Sequence, residues 1–122
     1  MSHYRPRVLS LDPAMPRYQS LLKNNSDTLS MKSGCVCLQP GESIGEHVTD
    51  QREEIIVILA GQARVTCEGS GPLTAAGPAV VYIPPQKRHD VHNAGQDILR
   101  YIYVVSMLDK KEFQNAEKEE QG

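Results

Sequence analysis

Five short apolar runs, separated by turn-forming residues, dominate the sequence between residues 31 and 107. The runs read SGCVCLQ, EIIVILA, QARVTCE, PAVVYIP and ILRYIYVVSM, and the breaks contain PGES, GSGP, AAGP, PPQKR and NAGQD. Runs of this length, rich in β-branched residues and bounded by Gly and Pro, are typical of an all-β sandwich or barrel. In QARVTCE, Ala63 and Val65 alternate with polar neighbours, which predicts a strand with one buried face. We therefore expect an all-β fold.

The run over residues 55–60 is apolar at every position, unlike its neighbours. A strand of this kind is expected to be covered on both faces, by the barrel interior and by a second sheet or a partner subunit. Because small open barrels also leave sheet edges to close, the sequence predicts a homodimer. The strand over residues 30–38 is the candidate for crossing between subunits.

The length of 122 residues predicts one compact core. Residues 1–30 contain several prolines and little periodicity, so we expect an N-terminal arm, with a short helix over 18–23 as one option. Residues 31–108 are the predicted barrel. Residues 109–122 are charged and carry no apolar stripe, which predicts a solvated C-terminal tail.

Composition excludes several classes of function. No apolar run approaches the roughly 20 residues that a membrane-spanning helix needs, and the proline-interrupted N-terminus is unlike a secretory signal, so we expect a cytoplasmic protein with no membrane partner. The net charge is −2 and no basic face with interleaved aromatics occurs, which argues against nucleic acid. Cys35, Cys37 and Cys67 lack disulfide or zinc-ribbon spacing. Buried thiols are the favoured interpretation, with a soft-metal site or redox pair left open.

Two polar clusters stand out against the predicted strands. In GESIGEHVTDQREEIIVILAG, His47 and Thr49 are two residues apart and face the same way in an extended chain, and Glu54 opens the next strand. In PPQKRHDVHN, His89 follows a proline-rich turn and enters another strand. Donors on strands at the edge of a barrel can point to one centre, so these residues are candidates for a metal site.

The first cluster resembles the first motif of the cupins. That motif has a Gly, five residues, His-x-His, three or four residues, a Glu, six residues and a Gly. Here Gly41, His47, Glu54 and Gly61 fit, with the four-residue spacing, and Thr49 stands where the family has its second histidine. Within this first motif, the chain therefore departs from the family pattern at one metal-donor position only.

The second cluster resembles the second cupin motif, which has a Gly, five residues, Pro-x-Gly, two residues, a His, three residues and an Asn. Gly77, Pro84, His89 and Asn93 fit, with one extra residue before the proline and Gln86 in place of the second glycine. The resemblance covers residues 35–107. Because two spaced motifs agree in order and distance, the chain is similar to a small single-domain cupin of the cupin 2 conserved-barrel type.

The resemblance implies a double-stranded β-helix of the jelly-roll type, with a divalent ion inside the barrel held by His47, Glu54 and His89. Imidazole and carboxylate donors suit iron, manganese, nickel or zinc. Thr49 in place of a histidine is expected to weaken the site without abolishing it. Whether its hydroxyl faces a metal-bound water or is only part of a strand stays open. Alternation predicts that Glu53 faces outward; His92 is expected on the opposite face from His89 and exposed.

Thr49 and several further residues are candidates for substrate binding. Gln51 and Arg52 lie in the loop beside the predicted ligands, and Lys87 and Arg88 lie in another, which favours an anionic or polyhydroxylated ligand if they rim the barrel mouth. Tyr82, Tyr101 and Tyr103 are candidates for the pocket lining, with core or interface packing as the alternative.

Three functions follow from these candidates. The first is a metal-dependent enzyme, such as a small-molecule dioxygenase or isomerase. The second is a non-catalytic module that binds or senses a sugar-like or anionic ligand and has a degenerate metal site. The third is a metal-free acid–base enzyme with His47 or His89 as the base. The fold alone does not choose among them.

Overall fold

The computed structural model describes residues 4–107 and residue 118, and this part of the chain contains nine β-strands. The strands are β1 Tyr18–Leu22, β2 Met31–Leu38, β3 His47–Val48, β4 Arg52–Ala60, β5 Gln62–Cys67, β6 Leu73–Ala76, β7 Ala79–Ile83, β8 Arg88–Asn93 and β9 Leu99–Met107. The predicted tail, residues 109–122, lies outside the described residues except for position 118.

The strands form two antiparallel sheets. One has five strands in the order β1-β2-β9-β4-β7, and the other has four in the order β3-β8-β5-β6. Because β4 and β5 lie in different sheets, the chain crosses between sheets at Gly61, whose φ of 91° is a left-handed conformation that glycine adopts without strain. The all-β jelly-roll prediction is confirmed.

The core lies between the two sheets. Its buried apolar side chains come from both layers: Val36, Leu38, Ile56, Ile58, Ala63, Val65, Val81, Ile83, Val91, Leu99 and Tyr101. In β5, Ala63 and Val65 are buried whereas Arg64 and Thr66 are exposed, as the alternation in the sequence predicts. Each fully buried Val, Leu or Ile side chain contributes about 1.5–3 kcal/mol, so apolar burial holds the two layers together.

Residues 18–22 form an edge strand and not the short helix considered from the sequence. Tyr18 is paired with Val36, and Ser20 with Gly34, in an antiparallel ladder. The segment just before the strand is also fixed, because the Cys37 amide donates to the Arg17 carbonyl at 3.0 Å. The free backbone edge of β2 overrides a weak local helix preference in this short stretch, as tertiary context commonly does.

Strand β2 occupies the inside of its sheet. It pairs with β1 on one side and with β9 on the other, both from the same chain. The crossing of residues 30–38 between subunits stays a prediction, since the structure describes one chain. The free edges of the five-stranded sheet belong to β1 and β7.

The outer face of β4 and β7 is apolar and exposed in the described part of the chain. Ile55, Leu59, Val80 and Tyr82 are 44%, 38%, 64% and 54% exposed. The inner residues of β4, Ile56 and Ile58, are fully buried. The second cover that the apolar strand predicts is thus not supplied by residues 4–107.

The cysteines are free thiols. Cys35 and Cys37 are buried and Cys67 is partly buried. Next to Cys37 in the ladder, Arg100 donates to the Asp12 carbonyl at 2.8 Å, so the chain before β1 reaches over this part of the outer face. None of the three cysteines belongs to the group of potential metal donors described below.

Within the described residues, no helix has the length and apolarity to cross a membrane.

Candidate metal centre

His47, Glu54 and His89 meet between the two sheets although 35 residues separate the last two in sequence. His47 and His89 lie directly opposite each other in the β3–β8 ladder, which puts their side chains on one face. Glu54 comes from β4 in the facing sheet. Two strands of one layer and one strand of the other therefore supply the three side chains.

The donor atoms are close enough to share one ion. The Nε2 atom of His89 lies 3.1 Å from Oε1 of Glu54, and the Nε2 atom of His47 lies 3.8 Å from the same oxygen. One donor from each of the three residues lies within 4.8 Å of the others. Two ligands of one ion, each at 2.0–2.2 Å, are about 3–3.5 Å apart, so the residues fit a divalent ion with small adjustments.

Both imidazoles are oriented by backbone carbonyls. Nδ1 of His47 lies 3.1 Å from the Gly45 carbonyl oxygen, and Nδ1 of His89 lies 3.2 Å from the Lys87 carbonyl oxygen. A carbonyl accepts only, so each Nδ1 carries a proton and donates. This arrangement leaves both Nε2 atoms facing the Glu54 carboxylate, which is the orientation that metal-bound histidines have in proteins.

The three side chains differ in exposure. Glu54 and His89 are buried, whereas 49% of the His47 side chain is exposed. Burial acts to raise the pKa of Glu54, but the hydrogen bonds from His47 and His89 outweigh it, and the pKa lies below its ordinary value. The hydrogen bond to Glu54 raises the pKa of His47, with desolvation opposing it. The carboxylate therefore stabilises a positive charge beside it, whether a proton or a metal ion.

Thr49 lies beside this group but uses its hydroxyl elsewhere. The residue is buried, its Oγ1 donates to the Pro84 carbonyl at 2.9 Å and it accepts from the Lys87 amide at 3.0 Å. The hydroxyl therefore joins the loop before β4 to the loop before β8.

Gln86 stands where the second cupin motif has a glycine. Its φ of 59° is a left-handed conformation that glycine adopts without strain.

The structure separates the predicted substrate-binding residues into two groups. Thr49, Arg52, Tyr101 and Tyr103 line a cavity of about 230 Å³ that also contains His47 and Glu54. Gln51 and Tyr82 do not line it.

Most of the remaining residues that the sequence singled out face away from the cavity. Tyr82 donates to the Glu53 carboxylate at 2.6 Å on the outer face. His92 faces away from His89, as predicted, but it is half-buried and pairs with the Ser43 hydroxyl through Nδ1 at 2.7 Å. Arg88 is 3.4 Å from Glu46.

Among the polar side chains of the cavity, sequence reasoning missed two, Tyr18 and Lys32. Lys32 was predictable, because it has the same parity in β2 as the inward-facing Val36. Tyr18 lies in a five-residue edge strand with no sequence signal for its pairing. Its position depends on long-range contacts with β2.

Comparison with known proteins identifies the family. The chain is 28% identical over 119 residues to polyketide synthase CurC of Streptomyces cyaneus, an alignment that covers 91% of this chain and 76% of that protein. An RmlC-like cupin from Methanocaldococcus jannaschii has a TM-score of 0.71 at 18% identity, with coverage of 92% and 96%. A predicted oxalate decarboxylase from Thermotoga maritima has a TM-score of 0.69 at 23% identity, with coverage of 75% and 79%. Residues 34–105 match the cupin domain model, and the chain belongs to the cupin family.

Proposed function

We propose that this cupin is a metal-dependent enzyme of the dioxygenase or isomerase type, with its ion held by His47, Glu54 and His89 and its small substrate in the adjacent cavity. The observation that carries the proposal is the orientation of both imidazoles. Their Nδ1 atoms donate to the Gly45 and Lys87 carbonyls, which directs both Nε2 atoms to the side of the Glu54 carboxylate.

The donor set favours iron, manganese, nickel or zinc. Two imidazoles and one carboxylate suit mid-series divalent ions, and among the described residues no thiol joins the group. When bound, an ion with three protein ligands supplies Lewis-acid or oxygen-activating chemistry at its open coordination positions.

The chain's own residues prepare the site for that role. Glu54 supplies negative charge at a buried position, and His89 is held at 3.1 Å from it. Apolar side chains on the walls, including Val36, Ile44 and Val91, exclude water from the side of the cavity away from the mouth. The polypeptide therefore orients a ligand beside the ion and limits its exposure to solvent.

A second candidate is a non-catalytic module that binds or senses a small ligand. The observation in its favour is the exposure of His47, together with a Thr49 hydroxyl that is already committed to two backbone groups. A site with two imidazoles, one of them half exposed, is expected to hold metal more weakly than a site with three.

The test is a metal titration of the chelator-treated protein, using zinc and manganese and a readout of bound metal per chain. The wild type is expected to bind one ion. His89→Ala and the more space-filling His89→Gln are expected to lose at least tenfold in affinity, because one of only two imidazoles is removed. His92→Ala is the matched control, since His92 is on the same strand and faces the other way.

Retention of one tightly bound ion in a folded His89 variant would contradict the ligand assignment. A wild type that binds no ion would remove the metal-dependent function and favour the second candidate. Circular dichroism melting of each variant shows whether a loss of metal reflects a loss of fold.

A further inference from the structure

The cavity beside the metal centre is apolar on its walls and charged at one end. Its volume of about 230 Å³ exceeds the roughly 150 Å³ of a cavity that accepts benzene. One six-membered ring with a substituent fits such a space. Besides His47, Glu54 and three tyrosines, the cavity is lined by Lys32, Val36, Ile44, Val48, Thr49, Arg52, Val91 and Val105, whereas His89 does not line it.

The strand register orders these side chains along the interior face. Strand β9 lies between β2 and β4, so each row contains one residue from each strand. Successive rows are Val36–Tyr101–Ile58, Gly34–Tyr103–Ile56 and Lys32–Val105–Glu54, and Arg52 pairs with Met107 in the next row. Polarity therefore increases from the apolar interior through the tyrosines to a charged end beside Glu54.

Two cations at this end have no carboxylate partner. Neither Lys32 nor Arg52 forms an ion pair with any residue that the structure describes, whereas Arg17 is 2.9 Å from Glu42. Glu54 is the only acidic residue among the cavity lining, and it faces two imidazoles. The charged end is therefore net positive, and a bound divalent ion makes it more so.

The tyrosines add a hydrogen-bonding wall. The hydroxyls of Tyr18 and Tyr103 are 2.7 Å apart, so one donates to the other and the pair retains one O–H for a ligand. The pair depends on Gly34 between them, because a Cβ atom there would lie 2.9 Å from the Tyr103 hydroxyl and from the Tyr18 ring. The absence of a side chain at Gly34 therefore leaves the space that the Tyr18 and Tyr103 rings occupy.

We propose that the cavity binds a small monocarboxylate with an apolar body of about one six-membered ring. Lys32 and Arg52 attract the carboxylate at the charged end, and Val36, Ile44 and Val91 contact the ring. The proposal deepens the proposed function, on which it rests for the role of the neighbouring ion. The attraction by Lys32 and Arg52 does not depend on metal, so it is measurable in the metal-free protein.

The test compares cyclohexanecarboxylate with its neutral analogue cyclohexanecarboxamide, titrated into metal-free and zinc-treated protein. Intrinsic tyrosine fluorescence is the readout, since the chain has five tyrosines and no tryptophan and three tyrosines line the cavity. The carboxylate is expected to bind the metal-free protein at least tenfold more tightly than the amide. Oxalate, which has no apolar body, is expected to bind more weakly than cyclohexanecarboxylate.

Variants assign the preference to the two cations. Lys32→Gln and Arg52→Gln are each expected to reduce the tenfold preference to below about threefold, because carboxylate binding weakens more than amide binding does. Lys23→Gln and Arg64→Gln remove one positive charge each away from the cavity and are expected to retain the full preference. These controls separate local attraction from the effect of net charge.

The outcomes for the two proposals are distinguishable. Equal binding of acid and amide, or a preference that survives both cavity substitutions, overturns the carboxylate proposal even if zinc binds. Tighter binding of oxalate overturns the apolar part of it. A cation-dependent preference in a protein that binds neither zinc nor manganese supports the carboxylate proposal and refutes the metal-dependent function.

Discussion

Replacement of Thr49 tests how the chain uses the position at which its family has a second histidine. Thr49→Val keeps the shape and removes the hydroxyl, which leaves the Pro84 carbonyl and the Lys87 amide without their partner. An unsatisfied buried group costs about 1–3 kcal/mol. Both groups are only partly buried, so we take about 1–1.5 kcal/mol for each, at the lower end of this range, and expect a loss of about 2–3 kcal/mol in the free energy of unfolding.

Chemical and thermal denaturation of the chelator-treated protein measure this loss. For a domain of this length, each kcal/mol corresponds to about 3–5 °C in Tm. Thr49→Ser retains the hydroxyl and gives up one methyl group, so it is expected to lose about 1 kcal/mol or less. Thr66→Val, at an exposed position on β5, is the matched control and should stay within about 0.5 kcal/mol of wild type.

The order of the variants decides the interpretation. If Thr49→Ser is more damaging than Thr49→Val, methyl packing and not the hydroxyl holds the two loops, and the reasoning is refuted. Thr49→His supplies the fourth donor that the family pattern implies but removes the same hydroxyl. We expect this variant to bind zinc more tightly and to be less stable without metal.

Two further predictions concern pH and assembly. The pKa of Glu54 is lowered, so this group adds stability at pH values above its ordinary pKa of 4.5. The pKa of His47 is raised, so this group adds stability at pH values below its ordinary pKa of 6.5. The Tm of the metal-free protein should therefore peak between pH 4.5 and 6.5 and fall on either side. Stabilisation by added zinc should instead grow as the pH rises past 6.5, because the raised pKa of His47 keeps a proton on that donor at lower pH, and a flat thermal profile in either series would contradict this. We also expect a homodimer that forms through the outer face of β4 and β7. Sedimentation analysis should show the Val80→Glu variant as a monomer. The control variant Leu73→Glu, at an exposed apolar position on the other sheet, should stay a dimer. A monomeric wild type at micromolar concentration would refute this assignment.

The sequence predicted those features that depend on local pattern and spacing. Alternation in β5 identified the buried positions, and motif spacing selected Glu54 over Glu53 as the inward-facing acid. These predictions succeed because side-chain direction along a strand has a period of two, which is visible in a single segment.

The remaining features depend on contacts between distant segments. The sequence around Tyr82 does not show which face of β7 this residue occupies. Its outward direction follows only from its pairing with the exposed Ile55. The commitment of the Thr49 hydroxyl depends on Pro84, 35 residues later. Strand β1 forms only because β2 offers a backbone edge. Such relationships require the tertiary structure.

The position of Tyr18 has a consequence for how this protein can diversify. The residue forms part of the cavity wall, yet it belongs to an edge strand that precedes the cupin-matched region of residues 34–105 and pairs only with β2 among the described strands. Exchange of this one short segment can change the shape of the ligand space while His47, Glu54 and His89 stay in place. Under the proposed function, ligand choice and metal binding can thus be altered independently in a chain this small.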